Sequence, residues 1–247
     1  MSVTEHIILI GSILLTGVLS MAFYGKVKKL SKVLLAFSGA FLVSITFLHL
    51  FPIIYHSDNH SIGIWVIAGF FGQLFLEQFS SGVEHGHSHI HSHQNSNVLI
   101  MQVMFGLTIH SFVEGLSLGG FEMHGHEHDH HSRLLSEDVN PLLVGIVLHH
   151  VPAAFALMMV FASSLVSKWK ILLCLTIFAI MPSLGALTVI HFNFDQEVIL
   201  MILAFVSGSF LHVATTILFE TDNTNHKIPY KTLLAALSGV LLSLLTV

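Results

Sequence analysis

Eight runs of apolar residues, each close to the length that crosses a bilayer, divide this chain from end to end. They fall at about 6–24, 33–54, 62–80, 98–121, 141–165, 170–190, 197–219 and 231–247. A hydrocarbon core takes about 20 such residues per spanning helix. Within it every backbone N–H and C=O must be satisfied inside the segment, so each run is read as an α-helix. Charged residues make up only 9% of the 247, against about a quarter in a soluble domain. A soluble core therefore explains the chain poorly. The expected fold is all-α: a polytopic membrane helical bundle of eight transmembrane helices, forming one transmembrane domain over residues 1–247. No basic residue precedes the first run, and that run is long for a signal-peptide core, so it is read as the first membrane helix.

The basic residues give an orientation. Lys26, Lys28, Lys29 and Lys32 lie between runs one and two, Lys168 and Lys170 between five and six, and Lys227 and Lys231 between seven and eight. With eight spans these three connections share one side. Cytoplasmic loops collect Lys and Arg, so both termini are expected outside the cytoplasm, with the cell membrane as the host bilayer. The net charge of −5 argues against nucleic acid as a partner.

Histidine is the second anomaly, with 20 residues. It is the commonest metal-ligating side chain. Two tracts concentrate it: Glu84 to His93 (EHGHSHIHSH), expected inside, and Glu122 to His131 (EMHGHEHDHH), expected outside. Such tracts bind metal through composition, in many registers at once. A solvated connecting loop is the plain alternative. Cys174 is the single cysteine and sits in an apolar run, so it is read as a small buried hydrophobe.

The fourth run reads LTIHSFVEGLSLGG. His110 and Glu114 are four residues apart and so share one helical face, with Ser111 and Ser117 flanking it. An ionised carboxylate in mid-bilayer costs several kcal/mol unless paired; Glu114 therefore needs a cation, a proton or water. The fifth run reads GIVLHHVPAAFALMM, with His149 and His150 just before Pro152. Proline removes an N–H and disturbs the preceding turn, so a broken helix that frees the Leu148 carbonyl is expected there. His110, Glu114 and His149 are the expected metal ligands. His150 points about 100° away from His149 and is assigned to the edge of the site or to a second step of the path. Lone histidines such as His212 and His191 are read as packing residues bonded to backbone carbonyls. Imidazole nitrogen plus one carboxylate, without thiolate, suits Zn²⁺, and also Fe²⁺, Mn²⁺ or Cd²⁺ as transported ions. It does not suit Mg²⁺ or Ca²⁺, which take mostly oxygen.

At these positions the chain resembles the ZIP family of zinc- and iron-regulated transporter-like proteins. The resemblance is carried by His110-Ser-Phe-Val-Glu114-Gly, by His149-His-Val-Pro152, by Ser207-Gly-Ser-Phe-Leu-His-Val-Ala214 and by His49-Leu-Phe-Pro52. It implies eight helices with both termini outside, and metal import toward the cytosol between helices four and five. It gives His110, Ser111, Glu114, His149 and His150 ligand positions, and sets His49 near the pathway. The chain departs from the family at Ala153 and Met181, where other members carry a carboxylate or histidine, and so a one-ion site is expected instead of a bridged pair. His212 stands where an aromatic residue is usual, and the sequence alone gives no reason for it.

Two other readings compete. A histidine-rich di-iron membrane enzyme needs HxxxH and HxxHH clusters on one membrane face, and an intramembrane zinc protease needs HExxH within a span. Here the HxxxH spacings and one HExxH (His126 to His130) fall only outside the spanning runs, the two His-rich tracts are expected on opposite faces, and the intramembrane pair is His and Glu, so the chain is not expected to be an enzyme. A metal-binding sensor or signalling protein without transport shares the same ligands. The expected partners are a divalent metal ion and the lipid bilayer, and a homodimer is compatible with both.

Overall fold

A computed structural model describes residues 1–22, 24–56, 61–80, 83, 96–125, 140–163, 166–219 and 229–246. Among these the regular structure is helical: α1 (Val3–Ala22), α2 (Tyr24–Ile45), α3 (Phe51–Tyr55), α4 (Ile62–Ser80), α5 (Ser96–Gly125), α6 (Pro141–Ser163), α7 (Lys168–Phe192), α8 (Gln196–Phe219) and α9 (Tyr230–Leu244). A π-helical turn over Thr46–Leu50 joins α2 to α3, so the two form a single continuous rod. Seven of the resulting spans are long and apolar enough to cross a membrane. The eighth, α9, has 15 residues, or about 22 Å of rise, and reaches across only where the bilayer thins locally. The chain is thus an all-helical, multi-pass membrane bundle. The tract at 84–93 lies outside the described residues, as do residues 126–131 of the second tract; its first residues, Glu122 and Met123, extend α5.

Local chemistry sets the helix ends. Ser2 and Glu5 cap α1 reciprocally: the Ser2 N–H donates to Glu5 Oε2 at 2.7 Å and the Glu5 N–H to Ser2 Oγ at 3.3 Å. Asn140 Oδ1 accepts from the N–H groups of Leu142 and Leu143 at 3.0 and 3.3 Å, ahead of Pro141 at the first helical position. Asn193 closes α7 in the left-handed region, φ 45°, a conformation asparagine tolerates better than most residues.

The helices pack by bringing backbones together. A methyl group on Gly115 would overlap the Pro182 carbonyl, and one on Gly185 would overlap the Phe112 carbonyl. Gly69 and Gly208 stand in the same reciprocal relation to the carbonyls of Phe205 and Val66. In lipid, where apolar side chains gain little by meeting one another, small residues permit the close van der Waals contact that holds helices together. These contacts order α5 with α7, and α4 with α8, as parallel pairs. Large apolar residues such as Leu15, Phe71, Phe75 and Leu237 cover the outer surface.

Proline acts in an unexpected place. The helix α6 continues through Pro152 without the expected break. Leaving the ladder at membrane depth would strand more backbone groups than the one bond Pro152 removes. The interruption occurs instead before Pro52, where the Phe51 N–H reaches back five residues to the Thr46 carbonyl. That widened turn carries His49.

Candidate metal site in the bundle core

The buried apolar residues form two clusters. From α6, Leu142, Leu143 and Ile146 belong to one, and Ala153, Ala154 and Leu157 to the other. Along α5 the division falls between Leu107 and Leu118. The layer between holds His110, Ser111, Glu114, Ser117, His149 and His150, all buried. The i, i+4 spacing on α5 and the adjacent histidines on α6 meet at this level.

His110 and Glu114 face each other, with His110 Nε2 3.4 Å from Glu114 Oε1. Neither atom has a hydrogen-bond partner, although both are buried. The other side of each group is tied down. His110 Nδ1 lies 2.9 Å from Gln73 Oε1, an acceptor, so Nδ1 donates, and in the uncharged form of the ring the lone pair is on Nε2. Glu114 Oε2 lies 2.6 Å from His150 Nε2. Two electron-rich atoms are therefore held face to face in a buried layer. Across a tetrahedral Zn²⁺ the ligand atoms stand about 3.4 Å apart. His149 joins them, its ring centroid 6.0 Å from that of His110. One ligand atom each from His110, Glu114 and His149 lie within 4.8 Å of one another.

The remaining expected site residues are distributed around this cluster. His150 binds the carboxylate of Glu114, and its ring meets Phe178 edge-on at 5.3 Å. Ser111 is buried with its hydroxyl unbonded. The Ser117 hydroxyl donates to the Glu114 backbone carbonyl at 2.6 Å, a bond internal to the helix. His49 lies in the π-turn against Thr246 Oγ1, 2.9 Å from its Nε2, and is not one of the clustered ligands.

Sequence reasoning missed two α4 residues. Gln73, buried on the inner face, also accepts the Ser209 hydroxyl at 3.1 Å and so links α8 to His110. A single amide in an apolar run gives little signal; only its place on the stripe Ile62, Gly69, Gln73 and Ser80 marks it as inward. Glu77 is another carboxylate within a span. Its Oε2 lies 2.6 Å from His212 Nε2. His212 thus bonds a side chain, where a backbone carbonyl was expected. His191 is exposed at the end of α7, against Phe192.

A polytopic helical bundle with a buried His/Glu cluster between two spans has the form of a membrane metal carrier. The model of the family described as ZIP Zinc transporter matches residues 81–246, well over half of the chain. The chain belongs to the ZIP family, whose members are transporters of divalent metal. A search of curated proteins finds no significant match.

Proposed function

We propose that this protein carries one divalent cation at a time, Zn²⁺ foremost, through the His110–Glu114–His149 cluster and toward the cytosol. The observation that carries the reading is the opposition of His110 Nε2 and Glu114 Oε1 at 3.4 Å, both buried and unbonded. Two such atoms repel at low dielectric unless a cation or proton lies between them. His149 supplies a third donor, and water or the substrate's own hydration completes a four-coordinate shell.

His150 acts on Glu114 and not on the ion. It hydrogen-bonds one carboxylate oxygen and aims the other, as outer partners of metal ligands do. Gln73 does the same for His110. Neutral imidazoles and one carboxylate leave a Zn²⁺ complex at net +1 in a dry layer, which weakens binding and favours passage over storage. Fe²⁺, Mn²⁺ and Cd²⁺ fit the same donors. The lysine distribution supports termini outside the cytoplasm, and membership of the ZIP family supports import as the direction. Isothermal titration of Zn²⁺ into purified protein, with Glu114→Gln as comparison, tests the site apart from flux. Equal binding by both proteins contradicts the ligand assignment.

A further inference from the structure

Outside the central cluster, a second His/Glu pair occupies the interface of α4 and α8. Glu77 falls on the inner stripe of α4, four residues beyond Gln73, and thus one turn or about 6 Å along the axis. Its partner His212 lies three residues beyond Ser209, which itself bonds Gln73. The parallel pairing of α4 and α8 therefore sets the two contacts in sequence. From Glu114 the polar groups run through His110 and Gln73 with Ser209, and end at Glu77 with His212. The line leads toward the end of α4 from which the chain enters the 84–93 tract.

We propose that Glu77 and His212 form a second divalent-cation station, one step removed from the central site. The proposal rests on the reading that the chain moves metal ions. The donor types are those of the central site, an imidazole and a carboxylate, here hydrogen-bonded to each other at 2.6 Å so that an arriving ion must part them; they suit Zn²⁺, Fe²⁺, Mn²⁺ or Cd²⁺. Ionisable groups within a spanning segment are costly, and as a rule mark ion paths. The exposure differs from that of the central site in the way a hand-over point requires. Glu114 is fully buried, whereas the Glu77 side chain is 21% exposed and that of His212 7%. Water can complete the coordination of an ion held there. Phe70 meets the His212 ring edge-on at 5.0 Å and holds its plane. On arrival the cation takes the carboxylate oxygen and Nε2; the Nε2 proton leaves to water from a doubly protonated ring, or is exchanged for one on Nδ1 in a neutral ring.

A local test uses the scarcity of cysteine. Cys174 is the only one and is buried, so a Glu77→Cys, Cys174→Ala chain carries a single thiol at the station. In the purified full-length protein, Cd²⁺ is expected to slow maleimide labelling of that thiol by at least about tenfold. Adding His212→Phe, which keeps a ring against Phe70, is expected to remove the protection. Adding Glu114→Ala is expected to leave it intact. Labelling at one rate with and without Cd²⁺, or protection that survives His212→Phe, overturns the station. In proteoliposomes, Glu77→Gln and His212→Phe are each expected to lower the maximal Zn²⁺ uptake rate by about fivefold or more, with Glu77→Asp recovering more than Glu77→Gln. Wild-type rates in both variants overturn the proposal. Absence of uptake by the unmodified protein removes the transport reading, and the labelling result then decides the station by itself.

Discussion

His150 Nε2 lies 2.6 Å from Glu114 Oε2, while the other carboxylate oxygen faces His110. One side chain is thus claimed from two sides, by α6 and by its own helix. The arrangement assigns different costs to the loss of each neighbour.

Replacing His150 with Gln keeps a donor near Glu114 and removes the imidazole. The expected outcome is a rise in the KM for Zn²⁺ of about tenfold with uptake still measurable, the scale seen for outer partners of metal ligands. Replacing His149 with Gln removes a donor from the cluster and is expected to cost more. Uptake kinetics on the two variants side by side check the order; a reversed order would make His150 the ligand and His149 the support.

Gln73→Leu removes the acceptor for His110 Nδ1 and the link to Ser209. The imidazole is then free to take the other tautomer, so Zn²⁺ affinity is expected to fall by about 10- to 100-fold. Gln73→Glu retains an acceptor and is expected to lose less. Titration calorimetry on the purified variants measures both.

The buried polar layer was largely legible in the sequence, and the residues that tie it to α4 were not. Polar residues stand out against hydrocarbon, so His110, Glu114, His149 and His150 could be picked out and placed at one depth by spacing alone. The long apolar runs likewise fixed the helices, because the bilayer allows few alternatives. Gln73 and Glu77 escaped notice because their roles come from α5 and α8, which approach α4 only in the folded bundle. The effect of proline was misplaced for a related reason. Pro152 and Pro52 look alike in sequence, yet α6 stays continuous through Pro152 while a π-turn precedes Pro52.

Gly115 and Gly185 leave no room for side chains between α5 and α7. Gly115→Leu would drive its side chain into the Pro182 carbonyl, next to Glu114. The expected result is loss of folded protein, read as a collapsed monodisperse peak on size exclusion in detergent. Gly11, which has open space around its Cβ position, is the control: Gly11→Ala is expected to behave as wild type.

Metal ligands bind in their deprotonated forms, so protons compete with the ion. Histidine ordinarily titrates near pH 6.5. Acidifying the loading side is therefore expected to raise the KM for Zn²⁺. Uptake measured from about pH 5.5 to about pH 7.5 tests the sign. A KM that falls on acidification would speak against neutral imidazole ligands.

Removing the 84–93 tract takes away five histidines and none of the clustered ligands. Capacity or regulation is expected to change while transport itself persists, as judged by initial rates in proteoliposomes. Abolished transport would move the tract into the pathway.

The central claim is that Glu114 holds the travelling ion. Uptake of Zn²⁺ into proteoliposomes, run in parallel for the wild type and Glu114→Ala, tests it most directly. The account predicts saturable uptake by the wild type and, for Glu114→Ala, a rate below about a tenth of it. No uptake by the wild type, or undiminished uptake by Glu114→Ala, would contradict it.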